Sequence, residues 1–254
     1  MINEKDEYSK VARTYPSVLT LLGFAGVSII VVINNFEKIS KLYEKYSAFL
    51  ITISENSLFT IIAKIISLTV LLSLCTSALF CFIKIVIREI GKIFPESCIE
   101  KIWKMPTTRL LCKESTIYSD ETKKEIFSKI KTDYNKDLIK IKNKSIKNET
   151  YTKDIDTVIS LIRELTRDNE ILLQYNRLYG FWRNFTGGQL LLFLFVCFIR
   201  ILGFCCARIL LISCKQFLVI ESSLILLILI SFFATFQNGI RYAKQLYTAF
   251  LKSN

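Results

Sequence analysis

Histidine is absent from this chain of 254 residues. With it go the commonest general base and the side chain whose charge changes nearest neutral pH. Eight cysteines are present, but none forms a CxxC pair, and a zinc site without histidine would need clustered thiolates. Cys75, Cys81, Cys197, Cys205, Cys206 and Cys214 fall in or beside apolar runs, and Cys98 and Cys112 lie in a polar segment, so reduced and inert thiols are expected. Also missing are a glycine-rich phosphate loop, an HExxH pair and a GxSxG elbow. The acids Asp154, Asp156, Glu164, Asp168 and Glu170 alternate with Arg163 and Arg167, the pattern of a solvated face. No cofactor, metal or catalytic residue is expected, and the chain reads as non-enzymatic.

What is present is segregation. The chain is 52% hydrophobic with a formal charge of +12, and apolar residues and charges occupy separate blocks. That is the pattern of an integral membrane protein with one substantial polar segment. The basic excess fits cytoplasmic lysine beside anionic lipid, and without a recognition motif nucleic acid is not favoured as a partner.

Residues 1–16 are of mixed charge, with no cleavage site of the A-x-A kind, and Pro16 stands where a helix can begin. Ser17 to Ile33 is uncharged and long enough to cross a bilayer. Asn34 to Ser57 balances three lysines against three glutamates and has apolar residues at helical spacing, predicting an outer amphipathic helix. Leu58 to Ile83 is a second span. From Lys84 to Gly188, 21 basic residues exceed 15 acidic ones in the one stretch large enough for a folded polar module. Within it, Pro95 and Pro106 bracket a short helix. Asp120 to Leu138 reads as a helix capped by Asp120. Lys136 to Asn148 is a loop or a short strand, and a helix striped by Ile155, Val158, Ile159, Ile162 and Leu165 begins at Asp154. Leu190 to Cys214 and Phe217 to Phe236 are the third and fourth runs, and residues from Gln237 form a basic tail.

The fold expected is therefore all-α, with four membrane helices in a two-plus-two layout around a helical cytoplasmic insertion. The divisions are 1–83, 84–188 and 189–254. Basic residues flank the central side of the runs (Lys84, Arg88, Lys92, Arg177, Arg183) and the tail, which places both termini and the insertion in the cytoplasm.

Two groups of residues stand out. Arg200 falls inside the third run, where an arginine is costly, and Arg208 and Glu221 flank the hairpin at depths that suit a pair. The second group is the stretch TRDNEILLQYNRLYGFWRNFTGG, Thr166 to Gly188. Asn169, Asn176 and Arg183 recur every seven residues, as do Leu173, Gly180 and Gly187, so each set lines one face of a helix. One reading is an interfacial anchor of Tyr175, Tyr179, Trp182 and Arg183, with Asn184 beside them. The other is a seam between subunits, where Asn fixes register and Gly permits close approach. Either way, one continuous helix is expected from Asp154 through Gly188 into the third run.

This block, with PTTRLL at Pro106 to Leu111, resembles a family of uncharacterised bacterial membrane proteins. They share T-R-D and then N-x-x-YGF-x-RN before the third run of a two-plus-two layout. Where similar proteins carry an acid before the Asn, this chain has Tyr175. The resemblance implies architecture and bacterial origin, with no activity attached. The leading functional expectation is an inner-membrane protein, homo-oligomeric through the seam, that couples a cytoplasmic input to membrane state. A membrane-permeabilising defence or stress effector would be one form of it. The alternative is a scaffold whose cytoplasmic module binds another protein.

Overall fold

A computed structural model describes residues 4–37, 40–41, 58–136, 145–205 and 214–253, with the side chains at 4–6, 58–72, 74, 75, 205 and 214 outside the description. The expected outer amphipathic helix, the loop or strand around Ile139 and Ile141, and Arg208 lie outside the described residues. Within them the protein is helical throughout, without strands.

Helix α1 (Glu4–Ser9) passes through a π-helical turn (Lys10–Thr14) into α2 (Tyr15–Asn34) without a break. Helix formation therefore precedes Pro16 instead of starting there. A proline this far inside lacks the N–H for the carbonyl four residues back, and the wider turn just before it accommodates the misfit. The same device recurs after α3 (Leu58–Gly91), where the π-turn Lys92–Glu96 contains Pro95. Next come α4 (Ser97–Trp103), α5 (Pro106–Leu111), α6 (Asp120–Tyr134) and α7 (Glu149–Leu165). Two long helices, α8 (Glu170–Cys205) and α9 (Cys214–Lys252), complete the chain. The cap of α6 is Ser119, whose hydroxyl accepts from the Thr122 N–H at 3.2 Å, one residue before the Asp120 expected for that role. Asn148 caps α7 in the same way, accepting from Tyr151 N–H at 3.3 Å.

Among the described residues, Glu7–Asn34, Glu170–Phe204 and Lys215–Lys252 are long and apolar enough to cross a membrane. Their outward residues, such as Leu22, Ile29, Phe198, Val219 and Phe233, are large, apolar and exposed, as lipid-facing surfaces are. These are the helices of an integral membrane protein. The second run falls on α3, which exposes Leu79, Phe82 and Ile85.

Among the described residues there are two cores. The bundle core gathers Val27 of α2, Leu192, Val196 and Ile199 of α8, and Phe217 and Leu224 of α9. Phe24 and Phe195 meet edge to face beside it, with ring centroids 4.7 Å apart. The core of the polar module joins α5, α6 and α7 to Leu172 of α8 and to Ala243, Leu246, Tyr247 and Phe250 of α9. Residues 237–252 are thus the last turns of α9, and they occupy the centre of the polar module where a tail was expected. The apolar positions 243, 246, 247 and 250 recur at helical spacing, the sign of a buried face.

At the middle of that module lies α5, the PTTRLL segment. A helix of six residues leaves most of its carbonyls without intrahelical donors. Neighbouring side chains supply them. Tyr247 hydroxyl donates to Thr107 O at 2.8 Å and Tyr151 hydroxyl to Leu111 O at 3.0 Å. Lys123, itself buried, donates from Nζ to Cys112 O at 3.1 Å and Ser115 O at 2.7 Å. Thr108 hydroxyl donates to Asp156 Oδ1 at 2.5 Å. Burial, with Glu114 adding to it, pushes the Cys112 thiol up to about 12, consistent with the inert state expected of it.

Candidate functional site at the membrane-proximal joint

The stretch where the two cores meet is the first half of α8. It does not continue α7. The helix stops at Leu165, residues 166–169 form a turn, and Asn169 Oδ1 accepts from Leu172 N–H at 2.9 Å as the N-cap of α8. The expected continuous helix from Asp154 is therefore interrupted, and Asn169 is a cap instead of a seam residue. From Glu170 onward continuity holds through Gly188 to Cys205.

On one face of α8 glycine permits backbone contact. A Cβ on Gly187 would fall 2.5 Å from Ile87 O and 2.7 Å from Gly91 N, so α3 and α8 touch main chain to main chain. A Cβ on Gly91 would in turn meet Arg183 O at 2.8 Å. Gly180 faces Ala12 and Tyr8 of the N-terminal helix. The small-residue seam is thus filled from within the chain, by α3 and by the π-turn before α2.

On the other faces α8 carries buried polar groups. Arg183 Nη1 lies 2.7 Å from Glu96 Oε1, and the Tyr179 hydroxyl donates to the same oxygen at 3.1 Å. Tyr179 is 9% exposed, so this pair does not sit among headgroups as an anchor would. Trp182 does keep half-exposed aromatic company, with Phe181 and Phe185 at 5.3 and 6.0 Å. Behind Tyr179 the rings and cations alternate. Arg183 lies over Tyr179 at 5.9 Å, Tyr179 stacks on Tyr242 at 6.4 Å, and Arg163 lies over Tyr242 at 5.9 Å. This ladder runs from α7 in the polar module, across α9, to the acid on the π-turn after α3.

Two further contacts fasten the N-terminal helix. Arg177 Nη1 pairs with Glu7 Oε2 at 2.8 Å, while its Nε is buried with no partner. Asn184, 1% exposed, donates from Nδ2 to Ala12 O at 2.5 Å. Ala12 is the residue four before Pro16, so Asn184 donates to the carbonyl that proline cannot serve. Asn176 and Leu173 face a cleft beside Tyr8 and Arg13.

Further into the bundle, Arg200 Nη1 lies 2.6 Å from Glu221 Oε2. The sequence suited Glu221 to a pair with Arg208, which lies outside the described residues; among those described, Arg200 reaches it. The hydroxyls of Thr186 and Thr235, 3.3 Å apart, tie α8 to α9 at the level of the joint. Fourteen positions separate Thr186 from Arg200, and Glu221 from Thr235, so the pair sits about 21 Å from the joint. It therefore lies toward the far side of the bundle instead of at its middle.

Glu7, Glu96 and Glu221 are engaged by arginines, and no group of His, Cys, Asp and Glu among the described residues could hold a metal ion. Sequence reasoning missed Glu96, Gly91 and Tyr242, and it read Arg163, which lies over Tyr242, as part of a solvated face. Gly91 carried a signal, as the one glycine between Gly26 and Gly180, because an isolated glycine in a helical pattern usually has a packing reason. No protein-family model matches the chain, and comparison with curated proteins and with solved structures returns no match.

Proposed function

We propose that this is a non-enzymatic, four-span protein of the bacterial inner membrane that transmits the state of a cytoplasmic helical module to its membrane helices, both termini lying in the cytoplasm. One observation carries this reading. α8 and α9 each belong to both cores, through Leu172 and Val196 on α8 and through Leu224 and Tyr247 on α9. Two unbroken helices leave little freedom between module and bundle, so a change in module packing must displace the bundle or break the ladder at Tyr179. Lys123, Tyr151 and Tyr247 of the module are occupied in holding α5, which supports a mechanical role over a catalytic one. The membrane consequence we propose is permeation, governed by the Arg200–Glu221 pair, in the manner of a defence or stress effector; the glycine seam is filled within the chain, so a homo-oligomer would have to form through another face.

Purified protein in liposomes tests this directly. Ion flux should appear with the wild-type chain and change at least about tenfold in Arg200→Leu, since removing an intramembrane charge alters the barrier by more than about 1.4 kcal/mol. Flux equal in both, together with unimpaired growth of cells overexpressing the protein, would sink the reading.

A further inference from the structure

A cleft of about 430 Å³ opens between the N-terminal helix and the turn that joins α7 to α8. That volume lies in the range of small-molecule sites, about 300–1,000 Å³. Arg13 reaches it from the π-turn and Arg167 from the α7–α8 turn. Arg177 and Arg183 are each paired with a glutamate, but among the described residues neither Arg13 nor Arg167 has a carboxylate partner. Arg13 is instead held over the Tyr8 ring at 5.7 Å, which fixes its position while leaving its donors free. Asn176, on the same wall, adds an amide that makes no hydrogen bond among the described residues.

We propose that this cleft binds a small phosphate ester, with Arg13 and Arg167 gripping the phosphate from opposite walls. The planar fork of a guanidinium matches phosphate oxygens in pairs, and two of them converging from separate elements make a clamp. Asp168 also lines the cleft. Its charge opposes a bare anion and favours a ligand with a hydroxyl or amine beside the phosphate, which is why an ester is preferred to inorganic phosphate. The ester can come from a diffusible metabolite or from a phospholipid headgroup, because Arg13 stands only four residues before the first apolar run at Ser17. A bound phosphate would tie the N-terminal helix to the turn at the head of α8. That consequence for the membrane rests on the coupling reading, whereas the binding itself does not.

The test uses the full chain in an uncharged detergent at low salt, where such contacts are least screened. Glycerol 3-phosphate is titrated calorimetrically, with inorganic phosphate and glycerol as comparisons. Binding of the ester, weaker by about tenfold or more in Arg13→Gln and in Arg167→Gln but unchanged in Lys113→Gln, supports the site and a diffusible source. Arg167 is exposed, so its substitution leaves the fold intact, and the helical circular dichroism of each variant checks this. If the soluble ester does not bind, the thermal midpoint is compared in nanodiscs of phosphatidylglycerol and of phosphatidylcholine. A rise with phosphatidylglycerol that Arg167→Gln removes assigns a lipid headgroup as the source. Equal affinity and equal midpoints in wild type and both arginine variants overturn the proposal. Arginine-dependent binding with no effect on liposome flux keeps the site and removes the coupling reading.

Discussion

Helix α8 holds an arginine–glutamate pair at each end of its membrane stretch, Arg183–Glu96 at the joint and Arg200–Glu221 in the outer bundle. Their distances are nearly equal, at 2.7 and 2.6 Å. Their surroundings differ. The joint pair is enclosed, accepts a third partner in Tyr179, and ties α8 to a segment distant in sequence. The outer pair links two consecutive helices, and its arginine side chain is 44% exposed on the bundle. An ion pair in a closed polar network fixes geometry, because every member left alone would be buried and unsatisfied. A pair near the outer end of the bundle can break and re-form at lower cost, because its arginine can extend to the interface. By this comparison the joint is the rigid end of α8 and the outer bundle the adjustable one.

The largest effect should come from filling the glycine contact that makes the joint rigid. Gly187→Leu would drive a side chain into the backbone of α3, with cost above about 3 kcal/mol. We expect no folded protein in detergent extracts, judged by gel filtration and circular dichroism. Gly26→Leu, where a Cβ would meet nothing within 4 Å, should accumulate normally. Equal yields for the two would mean that α3 and α8 do not touch through their main chains.

Next in size is the contrast between the pairs themselves. Glu96→Gln leaves Arg183 and Tyr179 enclosed with a weakened acceptor and should lower stability by about 2–3 kcal/mol, under the ~3–5 kcal/mol of a fully buried pair. Glu221→Gln leaves an arginine that can extend toward the interface, and should cost less than Glu96→Gln. Thermal unfolding in one detergent, followed by circular dichroism, compares the two. Equal losses would erase the distinction between a rigid and an adjustable end.

Much of the architecture was legible because membrane helices announce themselves by length and composition. The apolar runs on α2, α8 and α9 needed no tertiary information to find. The joint was legible as a place, through its glycines and arginines, but its role was not. Tyr179 and Arg183 have the composition of a headgroup anchor, and only the approach of Glu96, from a different helix, turns them inward. The end of α9 was misread for a related reason. Arg241, Lys244 and Lys252 make it look like a basic tail, while Ala243, Leu246, Tyr247 and Phe250 make the buried face. The interruption at 166–169 was also readable in principle, since Asn169 followed by Glu170 is a helix start. The seven-residue spacing through Asn169 drew attention to a continuous face instead.

The most local effect sharpens the account of the joint most, because it concerns one carbonyl. Asn184 donates to Ala12 O, which Pro16 leaves without its helical donor. Asn184→Ala should therefore cost about 1–2 kcal/mol, the penalty of a buried acceptor left unsatisfied. Pro16→Ala restores an N–H four residues from Ala12 and lets the π-turn close as ordinary α-helix. In that background the carbonyl has its own donor, and Asn184→Ala should cost less than about 0.5 kcal/mol. The double-mutant cycle isolates this coupling from other effects of either substitution. A cost of Asn184→Ala that is the same with Pro16 and with Ala at 16 would show that Asn184 is held there by packing alone. The proline would then have no part in fastening the N-terminal helix to α8. A positive coupling would instead make Pro16 and Asn184 a matched pair. The enclosed character of the joint would then arise partly from a defect in one helix that a neighbouring helix completes.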